Sequence, residues 1–307
     1  NFTDPGDGST YWKIDNDGLI NGGYPYFSTR SDIKMPSILS MTSTSPDGTY
    51  KVGDNIPITM TFSEPVIVAT TTSDTVQIIL ETGDNDAIVN YASGSGTSVL
   101  TFNYTVSVGD VTSDLGLKNV LGVDPLINNN YISDFVGNFG KISTPLSANS
   151  NSLKYSKAIV IDGLAPSILS TAPSQNSYVN HTKVSYTLSE AASSGTITWT
   201  RTGGSEDSNS PHAQALAGDE LNTGAHTDIT LTNNPTLLEG AIYTISFDAI
   251  DVAGNTATTV STSNVTYDFT APTLLQVTPA KDSFLPIADN SKIRIDFSEP
   301  ITAYNVD

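Results

Sequence analysis

The chain has 307 residues, of which 32 are acidic and 13 basic, for a formal charge of −19. So few cations argue against nucleic acid and anionic membrane as partners, because phosphate binding needs clustered Lys and Arg. The absence of cysteine excludes disulfides and thiolate metal sites, and no apolar run of about 18 residues is available to cross a bilayer as a helix.

The length leaves room for two full domains plus fragments. Strong acidity suits divalent cations or a saline exterior, and it serves solubility equally well. Ser, Thr, Asn, Gly and Val are abundant, and no window of a dozen residues carries an apolar 3.6-residue period, so the chain reads as all-β. No signal peptide is visible, and Asn1 opens in mid-pattern, which gives the expectation of an interior piece of a longer protein.

Residues 1–33 form the first segment, with aromatics among Gly and Asn turns: Trp12, Tyr24, Tyr26 and Phe27 beside Gly22 and Gly23. This stretch, with its Gly-Tyr-Pro-Tyr phrase at 23–26, resembles the closing coil of glycine-rich β-helical regions in bacterial surface proteins. So short a segment has no core of its own; it either caps an upstream domain or packs on the module that follows.

A first module is expected over 34–163. Ile58, Met60 and Phe62 alternate with polar residues into Ser63-Glu64-Pro65. Such period-2 alternation marks a half-buried strand. Val76 to Leu80 reads as a second strand, and Ser93-Gly94-Ser95-Gly96 as the turn before alternating Leu100, Phe102, Tyr104 and Val106. Asp134 to Asn138 forms a loop, and Lys157 to Asp162 closes the module. A second module is expected over 164–269. Val184, Tyr186 and Leu188 alternate into Ser189-Glu190, and Ile197 and Trp199 share a strand, with Trp199 in the core. Residues 203–228 read as a polar loop holding His212 and His226, Tyr243 to Phe247 lead into Asp251 to Asn255, and Asp268 closes the module. Residues 270–307 begin a truncated third module, with Ile293, Ile295 and Phe297 alternating into Ser298-Glu299-Pro300.

One unit is therefore used three times. Pro36, Pro166 and Pro272 precede Glu64, Glu190 and Glu299 by similar distances. A period of roughly 100 residues, built from short strands and Gly/Asn/Asp turns, fits tandem β-sandwiches rather than a solenoid. Each glutamate shares the parity of the apolar residues before it and so points toward the core where the strand is expected to end. A carboxylate there needs a cation or backbone N–H donors.

With these residues in view, the chain resembles the immunoglobulin-like and cadherin-like tandem repeats of giant bacterial cell-surface adhesins. The matching phrases are Asp47 to Asp54, Thr61 to Val66, Tyr91 to Thr97, Asp251 to Asn255 and Asp268 to Thr273. The resemblance implies immunoglobulin-like β-sandwich modules with a partial module at each end, in a non-catalytic structural or adhesive stalk of a secreted surface protein. Many such repeats are calcium-stiffened, although the cadherin linker Asp-x-Asn-Asp-Asn is missing. Expected partners are other segments of the same long chain and host, surface or glycan ligands. The alternative is a spacer or glycan-binding accessory region of an extracellular enzyme.

The candidate calcium ligands are Glu64, Asp134, Asn138 and Asp162 in the first module and Glu190, Asp251, Asn255 and Asp268 in the second. Calcium takes six to eight oxygens, of which each set offers about half. The competing reading makes Asp-x-x-Gly-Asn a turn whose side chains bond their own backbone, with the glutamate accepting N–H groups from a neighbouring strand. His181, His212 and His226 show no metal spacing, and no Gly-x-Ser-x-Gly elbow or singled-out carboxylate pair points to catalysis. The sequons at Asn1, Asn103, Asn180 and Asn264 are expected by chance in so Asn- and Thr-rich a chain.

Overall fold

The structure, a computed structural model, describes residues 12–14, 25–27, 35–69, 75–118, 126–127, 132–135, 137–138, 150–278 and 292–301. The chain divides into two compact units, Asn1–Leu164 and Ala165–Asp307.

Unit 1 begins with a pair of short antiparallel strands, β1 (Trp12–Ile14) and β2 (Pro25–Phe27). Whether they belong to a β-helical coil lies outside the described residues. There follow β3 (Ile38–Ser43), β4 (Gly48–Lys51), β5 (Asn55–Val68), β6 (Gln77–Leu80), β7 (Ala87–Ser93), β8 (Thr97–Thr105), β9 (Val111–Thr112), β10 (Leu126–Ile127), β11 (Ile132–Ser133), a one-turn helix α1 (Leu153–Ser156) and β12 (Ile159–Asp162). One sheet runs β10-β6-β7-β8-β5-β11 with β3 also on β5; the other runs β4-β12-β9. Their facing sides share one core, with Ile56, Ile58, Met60 and Phe62 of β5, Leu100, Phe102 and Tyr104 of β8, and Ile159 and Ile161 of β12 all buried. Each such side chain contributes roughly 1.5–3 kcal/mol. Ser152 Oγ caps the single helical turn by accepting Tyr155 N–H at 3.3 Å, and the unit is otherwise built of strands, as the all-β reading expects.

The strand expected to end at Glu64 continues to Val68. Thr61 pairs with Val99 and Val66 with Thr97, so Ser63-Glu64-Pro65 is taken up in a bulge. Pro65 has no N–H for the ladder, and a bulge is where a sheet tolerates that. The adjoining turn requires glycine at 94, where φ is +113° and a Cβ would lie 2.0 Å from the Val99 carbonyl.

Unit 2 contains β13 (Ile168–Ala172), β14 (Tyr178–Val179), β15 (Val184–Leu188), β16 (Ala192–Gly204), β17 (His212–Ala215), β18 (Gly224–Ile229), β19 (Ala241–Asp251), β20 (Val260–Tyr267), β21 (Leu274–Thr278) and β22 (Arg294–Phe297). Sheets β13-β15-β18 and β14-β20-β19-β16-β17 close on Val184, Tyr186, Leu188, Ile197, Trp199, Tyr243, Ile245 and Phe247, all buried. Both units are therefore immunoglobulin-like β-sandwiches. The polar stretch 203–228, expected as loop, instead holds β17, β18 and a 3-10 turn at Gly218–Leu221. Its half-buried positions are His212 and Gln214, alternating with exposed Ala213 and Ala215, so hydropathy did not reveal the period. Among the described residues, strands β21 and β22 pair only with each other, and Leu274, Leu275, Ile293 and Ile295 are exposed.

The threefold repeat is physical. Ser37 N–H donates to Ser63 Oγ (3.1 Å), and Ser63 N–H donates back to the Ser37 carbonyl (2.9 Å). Ser167 and Ser189 make the same reciprocal pair at 2.9 and 3.1 Å, and Thr273 and Ser298 make it at 2.8 and 2.9 Å. In each copy the next residue along pairs with the last apolar residue before that serine: Ile38 with Phe62, Ile168 with Leu188, Leu274 with Phe297.

Candidate functional site

The two Asp-x-x-Gly-Asn loops close alike, each aspartate binding the backbone and side-chain amide of its asparagine. Asp251, 1% exposed, sits where β19 ends. Its Oδ1 accepts the N–H groups of Gly254 (2.6 Å) and Asn255 (2.8 Å), and Oδ2 accepts the Asn255 side-chain amide (2.8 Å). Asp134, 4% exposed, accepts Asn138 N–H on Oδ1 (2.8 Å) and its amide on Oδ2 (2.6 Å). Gly137 and Gly254 take φ of +84° and +95°, which the tight return needs. The side chains thus bond their own loop, as the competing reading holds.

The inward glutamates stand beside these loops to different degrees. Glu190 precedes β16, whose Ala192 pairs with Asp251, and the Glu190 and Asp251 carboxylate oxygens lie within 4.8 Å of one another. Glu64 and the Asp134 loop belong to one sheet, since Ser133 of β11 pairs with Ile67 of β5. Asp162 ends a strand of the other sheet, opposite Lys51 and Val111, and its Oδ1 accepts Leu164 N–H at 3.3 Å.

Asp268 repeats that turn, accepting Thr270 N–H at 3.3 Å. Its carboxylate associates with Glu299 of the next repeat, which also feels Glu239, a residue sequence reasoning missed. Glu239 Oε2 accepts Phe269 N–H at 2.9 Å, which holds it beside Asp268. It has no repeated copy, so no pattern marks it. Burial raises the Glu299 pKa first, with Asp268 and then Glu239 adding to it. Tyr178, Asp268, Pro272 and Glu299 line a cavity of about 710 Å³ there.

This raised pKa has a definite sign. The folded state holds the proton more tightly than the unfolded one, so its contribution is complete below the unfolded value of 4.5 and is lost as pH rises through the folded value. Hydrogen-exchange protection of the Ser298 and Thr273 amides is therefore expected to fall from pH 4 to pH 7 in chelator. Glu299→Gln is expected to remove that dependence, and an equal fall in the variant would exonerate Glu299.

The histidines serve structure. His212 Nε2 lies 2.6 Å from Asp207 Oδ2; an ionised carboxylate only accepts, so that nitrogen carries the proton. This bond, more than those from Tyr243 O–H and Asn209 N–H, holds Asp207 below the usual carboxylate range. His226 stacks on Tyr186 at 4.6 Å and bonds the Asn222 carbonyl, and His181 Nδ1 accepts Lys183 N–H. His212 and His226, expected in one loop, stand on strands of different sheets.

No family model and no curated protein matches the chain. Among solved structures, fibronectin(III)-like modules of Clostridium thermocellum CbhA match at 14% identity, covering 74% of this chain and 94% of that one, with a TM-score of 0.26.

Proposed function

We propose that this chain is a non-catalytic structural or adhesive stalk segment of a large secreted bacterial cell-surface protein, with calcium stiffening its modules. The observation that carries the reading is the threefold clamp, which starts each repeat in the same way and places an acidic residue next to it. A spacer needs little more than such a module joined end to end. Calcium is assigned to Glu64, Asp134, Asn138 and Asp162 in the first module and to Glu190, Asp251, Asn255 and Asp268 in the second, with Glu239 and Glu299 beside Asp268. The chemistry supports a hard divalent ion: the carboxylate oxygens of Glu190 and Asp251 lie within 4.8 Å of one another in a chain of charge −19. Glu299, whose ionisation its neighbours oppose, would be relieved by one.

The test is thermal melting of the chain in calcium and in chelator, with Asp162→Ala and Asp268→Ala alongside. Calcium at a hundred times its dissociation constant adds about 2.7 kcal/mol. The parent is expected to melt higher in calcium and each variant to lose part of that gain. Identical parent melting in both buffers would leave these residues as turn formers.

A further inference from the structure

In unit 1, β7 belongs fully to β6 but only partly to β8. Gln77 to Leu80 pair with Asn90 back to Ala87, whereas pairing with β8 is confined to Tyr91 with Phe102 and Ser93 with Thr101. From Asn90 backward β7 departs from β8, while Asn103 to Thr105 of β8 stay on β5. A cleft of about 550 Å³ opens between them, lined among others by Asp86, Asn90, Tyr91, Asn103, Thr105 and Ser107.

Its chemistry narrows the ligand. The lining includes no Lys or Arg, which disfavours an anion. Asp86 already meets Lys118 at 3.1 Å, and Asp110, at the back, accepts Tyr104 O–H (2.7 Å) and Ser107 N–H (2.9 Å), so neither carboxylate calls for a cation. What remains is a set of short neutral hydrogen-bonding groups, of which Asn90, Tyr91 and Thr105 are held in place by their neighbours. Gln77 donates to Asn90 Oδ1 at 2.7 Å, which aims the Asn90 NH2 elsewhere. Asn55 donates to Thr105 Oγ1 at 3.2 Å, leaving the hydroxyl proton to donate. The Tyr91 ring is held at both ends, edge-on to Phe102 at 6.3 Å and by Ser95 N–H on its hydroxyl at 2.8 Å. Oriented amides and hydroxyls beside a fixed ring complement a polyhydroxylated, uncharged ligand with C–H faces. An added peptide strand fits less well, because it draws specificity from pockets for alternate side chains and the free edge of β8 is only Asn103 to Thr105.

We infer that this cleft between β7 and β8 binds a neutral oligosaccharide. The experiment titrates the full chain with maltohexaose, cellohexaose, xylohexaose and chitohexaose at millimolar concentration. Calorimetry and the side-chain amide NMR signals of Asn90 and Asn103 report binding, and chelator in the buffer keeps the result separate from any calcium effect. At least one hexaose is expected to bind and to move both amide signals. Asn90→Ala combined with Asn103→Ala, both exposed and so harmless to the fold, is expected to weaken binding at least about tenfold at unchanged melting temperature. Silence from all four sugars overturns the inference, as does undiminished binding by the double variant. So does a Val/Thr-rich strand peptide moving the same amides where the sugars do not.

Discussion

Asp251→Ala is expected to destabilise unit 2 by about 3–5 kcal/mol in chelator, among the largest single-residue effects in the chain. The carboxylate is 1% exposed and holds two backbone N–H groups and one side-chain amide of its own loop. Alanine removes the carboxylate from all three donors where β19 ends and leaves Gly254 N–H only its 3.3 Å bond to the backbone carbonyl of residue 251; a buried donor that loses its partner costs about 1–3 kcal/mol. Asp251→Asn should lie between, because its Oδ1 can still receive the two N–H groups while its NH2 faces that of Asn255. Urea denaturation reads the effect as a midpoint shift at constant slope. If Asp251→Ala kept the parent midpoint in chelator but lost the response to calcium, the residue would be a ligand first and a loop lock second.

The legible parts of this chain are those where one physical requirement dominates a position. Apolar alternation at Ile58, Met60 and Phe62, and again at Tyr243, Ile245 and Phe247, gave the core faces directly, since a strand with one buried side has no other way to arrange them. The Asp251-to-Asn255 and Asp134-to-Asn138 phrases were readable as loops because Gly must supply positive φ there. Pairing partners were not readable. The continuation of β5 through Glu64 depends on β8 and a glycine turn thirty residues on, and β17 is a strand because Trp199 and its neighbours pair with it, not because its own residues demand it. Glu239 is the clearest miss: a lone glutamate before a glycine gains meaning only from the Phe269 amide that folding brings to it. Asp32, four residues before Pro36 as Asp162 and Asp268 are before Pro166 and Pro272, shows that the repeat carried more signal than the glutamates alone.

Trp199→Ala is expected to cost about 3–5 kcal/mol, and Trp199→Phe to stay within about 1 kcal/mol of the parent. Trp199 is fully buried in β16, its ring edge-on to Tyr243 at 5.9 Å between the sheets of unit 2. Alanine empties that space and forfeits the transfer free energy of the whole ring. Phenylalanine leaves a smaller cavity and also removes a liability, because the indole Nε1 is buried with no hydrogen-bond partner among the described residues. An orphaned donor costs about 1–3 kcal/mol, which offsets most of the lost packing. The same nitrogen explains why tryptophan is not the optimal residue on stability grounds alone. Urea midpoints followed by far-UV circular dichroism separate the two variants. Near-equal destabilisation by phenylalanine and alanine would mean that the indole N–H is satisfied after all, by a buried water that phenylalanine leaves stranded.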